Sequence, residues 1–441
     1  MHSTIHAIYF FARYIFFVIC QNVPSPRRQQ ASTLVGTRLY FFGGGTSIST
    51  SNEVWYLDLS SSFNISTPPW HSDVAMPVGY TLGTSCLSHI DDSTVFLIGG
   101  RTWISTSANT DYYLYTSSVY KFNSKTSQWT VPTINNFNSS FATRNEMQAV
   151  IDINGKIFIF GGANYNSSTS LYYNDINVLD ITTMSWSTLT QSQSSLSRIV
   201  YTATLLPNGL IVYIGGESGS SLTSNLSLTD MSQIQVFDTK SYTWSTKIAS
   251  GSNVASRTLH SAVLTQDGNI IIYGGSTLNS GKVANVFSDI AVLNTYSWVW
   301  SIPSVSGTSA PPLAQHSAAL YKNYMILAFG ATSASNLYTN NIYILDIENY
   351  TWVTTFSVPT TNPNKQIQSN GNSSTDKANN NSSDLYIGIG VGIGVVILVA
   401  VLFIIGYIIY KNRHNEVYIA TPGDDHLREK HTSTVSRTPM Y

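Results

Sequence analysis

Short runs of β-favouring apolar residues recur along the chain, each closed by glycine and followed at a distance by tryptophan. LYFFGG ends at Gly43 and Gly44, TVFLIGG at Gly99 and Gly100, KIFIFGG at Gly161 and Gly162, LIVYIGG at Gly215 and Gly216, and NIIIYGG at Gly274 and Gly275. A sixth run, MILAFGA, keeps Gly330 and reads as a pair whose second glycine has become Ala331. The matching tryptophans are Trp70, Trp129, Trp186, Trp244, Trp300 and Trp352. Self-similarity at roughly fifty-odd residues marks a repeat architecture, in which no unit buries its apolar faces alone.

Two further registers define the unit. A short apolar strand ending in Asp or Asn precedes each tryptophan, as at Asn123, Asp180, Asp238, Asn294 and Asp346. The tryptophan follows six positions later, and Asp or Asn suits the start of a tight turn because its side chain bonds backbone two residues on. Only the first repeat departs, with an insertion between Asp58 and Trp70. Upstream of the glycine runs, Asn154-Gly155, Asn208-Gly209 and Asp267-Gly268 predict two-residue hairpin turns with positive φ. Each unit is thus a four-stranded antiparallel meander, and six such units predict an all-β, six-bladed β-propeller.

With those glycine pairs, Asp-ended strands and spaced tryptophans in place, the chain resembles the kelch family over residues 24–358, and specifically its six-bladed propellers, a fold shared with galactose oxidase-like proteins. Because the chain enters on an inner strand (QQASTLV) and leaves on a tryptophan strand (TWVTTFS), each blade is expected to be contiguous. Blade one would then pack on blade six with no strand exchanged between termini.

Composition moves the picture outside the cytosol. Charged residues form 10% of the chain and the formal net charge is −1, against about 25% charged in an ordinary soluble domain. No basic footprint for nucleic acid is present. Residues 386–410 carry no charge and are long enough for a transmembrane helix, with Lys411 and Arg413 as the cytoplasmic flank. Residues 1–20 read as a secretory signal peptide, an uncleaved anchor being the alternative. Glycosylation sequons at Asn64, Asn138, Asn166, Asn225, Asn349, Asn372, Asn380 and Asn381 all precede the span. The expected organisation is a propeller ectodomain over 21–358, an Asn/Ser-rich flexible stalk over 359–385, the span, and a cytoplasmic tail over 411–441. The expectation is a single-pass type I glycoprotein of the plasma membrane or another secretory-pathway membrane, with the propeller extracellular or lumenal. Gly388 with Gly392, and Gly390 with Gly394, offer small-residue pairs for a homodimer through the span.

Chemistry is sparse. The copper-radical site that galactose oxidase-like enzymes would imply needs a tyrosine crosslinked to cysteine, a second tyrosine and two histidines. Here Cys86 is the one cysteine expected in the mature head, and the ectodomain histidines are His71, His89, His260 and His316. His260 and His316 occupy one register of successive inner strands, with Tyr201 a blade earlier. They could line a metal site or serve packing. GSTLNSGKV at 275–283 misses the phosphate-loop spacing by one residue, and no nucleophile elbow or His-Glu-x-x-His is present. No catalytic or metal residue and no cofactor is assigned.

One polar register remains. Arg27, Arg144, Arg198 and Arg257 begin inner strands, while blades two and six are read as carrying Leu82 and Leu313. They fall on the face that also holds the long loops after the glycines, which carry Trp103, Tyr112, Tyr113, Tyr165 and Tyr172. Two roles are open: contacts to an extracellular protein or glycan ligand at a concave mouth, or bonds to neighbouring backbone that order the blade. The functional expectation is a recognition or adhesion module without catalysis. A propeller oxidoreductase or other carbohydrate-active enzyme is the alternative.

Overall fold

The computed structural model describes residues 23–358 apart from 106–110, 114–118, 166–169, 190–195, 220–225, 280–281 and 333–336. The signal peptide, stalk, transmembrane helix, tail and span glycines of the sequence reading lie outside the described residues, as does the whole of a second unit, Asn362–Tyr441. Among the described residues no helix is long and apolar enough to cross a membrane.

Six antiparallel meanders follow one another without exchange. Blade one is Ala31–Val35, Arg38–Phe42, Val54–Asp58 and Trp70–Asp73, and blade six is Ser317–Tyr321, Tyr324–Ala328, Ile342–Asp346 and Thr351–Val353. The inner strands of successive blades touch in sequence, and that of blade six returns to Ala31–Val35, so the ring is closed. Second strands are apolar beyond their first residue because both blade faces are covered by neighbours. Thr94–Ile98 and Tyr324–Ala328 are buried throughout. Fourth strands are the exposed edge, and three of them are flanked by chain arriving from the previous blade: Ser250–Gly251 runs parallel to Val299–Trp300, Ser306–Gly307 to Thr351–Trp352, and Asn135 bridges Ser185. That cover blunts edges that would otherwise template further pairing.

The Asp and Asn register behaves as the sequence implies. Asp180 Oδ1 accepts from Thr182 N at 2.9 Å, Asp238 Oδ1 from Lys240 N at 2.8 Å and Asn294 Oδ1 from Tyr296 N at 3.0 Å. The hairpins before the glycine runs differ. Leu206 and Leu210 close a three-residue loop through Leu206 N to Leu210 O and Gly209 N to Leu206 O. Of Asn208 and Gly209, only Gly209 has a positive φ, +94°. The same bonds recur at Asp152–Gly155 and Thr265–Gly268, so these are type I turns completed by a left-handed glycine, not two-residue primed turns. The extra residue relieves Asn or Asp of the left-handed conformation.

Blade six also corrects the glycine register. Ala328 pairs with Ile342 just as Phe160 pairs with Ile176, which places Phe329 in the first glycine position and Gly330 in the second. Phe329 has φ +63°, matching Gly161 at +61°. Elsewhere the first position must be glycine, because a Cβ on Gly161 would lie 2.5 Å from Arg198 O. At the seam between blades six and one, Phe329 instead packs its ring against Phe41 at 5.0 Å and Trp70 at 5.5 Å.

Closure is reinforced from the C-terminal side. Thr355–Phe356 pairs antiparallel with Phe63–Asn64, inside the insertion that interrupts the first repeat. The expectation that no strand is exchanged holds for the six blade sheets, and this short extra pair is added to them. Val358 N donates to Ser62 Oγ at 3.0 Å, so the described chain ends at the hairpin-turn end of the ring, opposite the loops that follow the glycines.

Candidate functional site at the propeller mouth

The four arginines are buried and brace their blades, the second of the two roles that the sequence leaves open. Arg27, Arg144, Arg198 and Arg257 are 0%, 1%, 5% and 0% exposed. Arg144 Nη1 donates to Gly161 O at 3.2 Å and to Asp175 Oδ1 at 2.6 Å, and its guanidinium lies over Tyr173 at 3.6 Å. Arg257 repeats this with Gly274 O at 3.1 Å and Asp289 Oδ1 at 2.6 Å, and Arg27 with Gly43 O and Glu53. Each acid immediately precedes the third strand of its blade. This acidic partner was legible in the sequence as Glu53, Asp175 and Asp289 at one register, a signal that the arginine register alone does not carry. Arg198 has no such acid; its guanidinium reaches Tyr213 O at 3.5 Å, and burial pulls its pKa down to about 10.

The arginine carbonyls also link blades. Gly100 N donates to Arg144 O, Gly162 N to Arg198 O, Gly216 N to Arg257 O and Gly330 N to Arg27 O. In blade two the acceptor is Tyr80 O, bonded by Gly44 N, so Tyr80 and not Leu82 stands in the arginine register. Leu82 belongs to a different ring. Gln29, Leu82, Glu146, Val200, Leu259 and Gln315 all have positive φ, from 49° to 61°. The amide of each donates to the carbonyl of its predecessor, and Gln29 N closes the circle on Gln315 O at 3.1 Å. A left-handed L-residue costs about 1–2 kcal/mol, here offset by one tangential hydrogen bond per residue.

This belt is the floor of the mouth. Above it the loops after the glycines fold into hairpins: Ala163–Tyr165 with Ser170–Tyr172, Ser276–Asn279 with Lys282–Val286, and Arg101–Ser105 with Asp111–Tyr113. Glu217–Gly219 lies between Ser197–Ile199 and Ser227–Leu228. They enclose a cavity of about 790 Å³. Its polar side carries Arg28, Arg101, Glu146 and Tyr165; its apolar side carries Val200, Leu226, Leu259, Leu278 and Val283. The polar groups pair among themselves. Tyr165 donates its hydroxyl to Glu146 Oε2 at 2.5 Å with Arg101 over its ring at 5.2 Å, and Arg28 donates to Gln315 Oε1 at 2.9 Å. Burial raises the Glu146 carboxyl above its ordinary range, opposed by Tyr165 and Arg101. Burial also raises Glu217. Of the loop aromatics named from the sequence, Tyr165 and Tyr172 line the cavity. The side chains of Tyr112 and Tyr113 lie outside the described residues.

His260 and His316 lie together in the central channel, yet each imidazole is used for packing. His260 Nε2 bonds Thr202 Oγ1 at 3.1 Å and His316 Nε2 bonds Ser261 Oγ at 2.7 Å, each on the preceding blade. Cys86 is buried, its thiol pushed up to about 12 by desolvation. Among the described residues no three His, Cys, Asp or Glu side chains converge to hold a metal.

Both histidines are held neutral by burial, with pKa values pulled down to about 3. Below pH 6.5 the unfolded chain takes up protons that the folded ring refuses, so their stabilising contribution is full above pH 6.5 and declines toward pH 3. At pH 5 each is expected to remove about 2 kcal/mol. Chemical denaturation at pH 7.5 and pH 5 should show a smaller acid loss in the His260→Gln/His316→Gln variant than in the parent chain. Equal losses would assign the acid limb to other groups.

Of the sequons in the described region, Asn64, in the short strand Phe63–Asn64, and Asn349, in a turn, are exposed at the end away from the mouth. Asn138 caps a 3-10 turn and donates its amide to Thr188 Oγ1 at 3.1 Å and Asn177 Oδ1 at 3.3 Å. Asn166, Asn225, Asn372, Asn380 and Asn381 lie outside the described residues.

A closed ring of six four-stranded meanders with a loop-walled mouth defines a six-bladed β-propeller. The KLHDC2/KLHL20/DRC7 Kelch-repeats domain matches residues 83–246 and 227–379. The chain belongs to the kelch-repeat family. It is 27% identical to Kelch domain-containing protein 3 of Rattus norvegicus over 320 residues, 70% of this chain and 79% of that protein. It is 26% identical to Acyl-CoA-binding domain-containing protein 4 of Arabidopsis thaliana over 51% of this chain, a match spanning 32% of that longer protein. The Rab9 effector protein with kelch motifs of Mus musculus is 28% identical over 37% of this chain and 39% of that protein. The solved structure of YjhT, 15% identical, covers 76% of this chain and 98% of that one with a TM-score of 0.56, and shares the fold.

Proposed function

We propose that this chain is a non-catalytic recognition protein whose propeller seats a segment of a partner protein in its mouth. The observation that carries this is the cavity of about 790 Å³, polar on one side and apolar on the other, standing on a hydrogen-bonded belt. Pockets with a few placed polar groups in an apolar lining are the usual form of a binding site. The apolar side favours a peptide over a glycan. Ile48 and Leu337, exposed on the loops of blades one and six, extend the surface onto the rim. A relative named as an effector, the Rab9 effector protein with kelch motifs, is in keeping with a protein partner. The apolar stretch 386–410 with its basic flank, and sequons confined to its N-terminal side, support display from a membrane with the propeller outside the cell or in the lumen.

The full-length chain carrying a photo-crosslinking residue at Leu278 should capture a partner in cells, and the same group at Tyr242, on a turn at the opposite end, should not. Equal capture from both positions, or none from Leu278, would reject the mouth as the binding site. Protease added to intact cells should release the head; a protected head would reject the external placement.

A further inference from the structure

Within the mouth, Glu217 differs from every other charged group. Arg101, Tyr165 and Glu146 form one interacting set, and Arg28 is held by Gln315 and stacked on Tyr338 at 4.9 Å. No described donor hydrogen-bonds or ion-pairs with the Glu217 carboxylate, although burial already raises its pKa. Its backbone is fixed between two strands, Glu217 opposite Ile199 on one side and Leu228 on the other. Ile199, Val200, Leu226, Leu259, Leu278 and Val283 form the apolar part of the cavity it lines, and the charge it shares the cavity with at close range is the like charge of Glu146. A half-buried carboxylate without a partner in such a cavity is costly in the empty state, and a donor arriving from a ligand would relieve that cost.

We infer that the mouth selects a partner segment presenting a lysine or arginine beside an aliphatic or aromatic side chain, the cation bonding Glu217 and the apolar group resting on blades four and five. This rests on the mouth being the partner site. The two arginines do not oppose it, because both stand on the blade one and two side of the cavity, whereas Glu217 lies on blade four. A guanidinium suits the site better than an ammonium, since it can bond both carboxylate oxygens in one plane and is more weakly hydrated.

The test uses the tagged full-length chain in detergent on arrays of degenerate hexapeptides, with Arg, Lys, citrulline, Leu or Glu fixed at one position. The Arg pool should be retained about tenfold more than the citrulline pool, a difference of about 1.4 kcal/mol, with Lys between them and Glu lowest. Glu217→Gln should erase the preference of Arg over citrulline without lowering the melting temperature, since it removes a charge that burial already disfavours. Glu217→Asp should keep the order at reduced strength. Equal retention of the Arg and citrulline pools, an unchanged preference in Glu217→Gln, or no retention of any pool would each overturn the inference. Crosslinking from Leu278 decides separately: a partner captured there without a cationic preference leaves the mouth as the site and removes only its selectivity.

Discussion

Asp175→Ala is expected to lower the unfolding free energy by about 3 kcal/mol, because it strands the Arg144 guanidinium, 1% exposed, without its counterion. Arg144 would keep Gly161 O, Ser140 Oγ at 2.9 Å and the face of Tyr173, which places the loss at the low end of the usual range. Its binding consequence should be slight, since the side chain sits beneath the mouth and not in it. Chemical denaturation of the single variant and of the Asp175→Ala/Arg144→Met double variant is the measurement. The double variant should recover part of the loss, as removal of both charges leaves nothing buried and unpaired. A single-variant loss below about 1 kcal/mol would class the pair with surface ion pairs and reject the bracing role.

Phe356→Ala is expected to cost about 3–5 kcal/mol and to open the ring at its seam. The Phe356 ring is fully buried, stacks on Phe63 at 5.0 Å and meets Tyr324 at 5.2 Å. Because the apolar clusters each span neighbouring blades, loss of the blade six to blade one contact should destabilise all six together. Limited proteolysis and tryptophan fluorescence should then report one transition shifted to lower denaturant. Cleavage confined to the last few residues of the propeller, with the fluorescence transition unmoved, would show that the clasp frays locally and does not hold the ring. Trp186→Ala should cost a comparable amount, because Trp186 is buried with its Nε1 on Asn177 Oδ1 at 3.0 Å. Trp244 is only half-buried and its loss should cost less, a distinction that the shared register of the two tryptophans does not reveal.

Much of the fold is legible in the chain because the repeat is written in backbone requirements. Glycine pairs mark left-handed φ and a neighbour's carbonyl too close for a Cβ, and Asp or Asn marks a side-chain-capped turn. Those constraints are local and recur six times, so element order, blade count and contiguity follow from them. The sequence is ambiguous where a local register can be aligned in two ways. MILAFGA looks like a pair that lost its second glycine, and only the pairing of Ala328 with Ile342 shows that Phe329 has replaced the first. Residue spacing alone points to Leu82 in the arginine register, whereas the bond from Gly44 N selects Tyr80.

The candidate site was less legible. The sequence by itself determined that the long, aromatic loops share one face with the arginines, since strand direction alternates along each blade. It could not determine which charged side chains reach the mouth. That is a matter of burial and of partners distant in the chain: Arg144 meets Asp175, Arg257 meets Asp289, and both turn inward, while Glu146 and Glu217 line the cavity. The belt through Gln29, Leu82, Glu146, Val200, Leu259 and Gln315 has no common residue type to betray it. Its left-handed backbone is imposed by hydrogen bonds between blades, which exist only once the ring has closed.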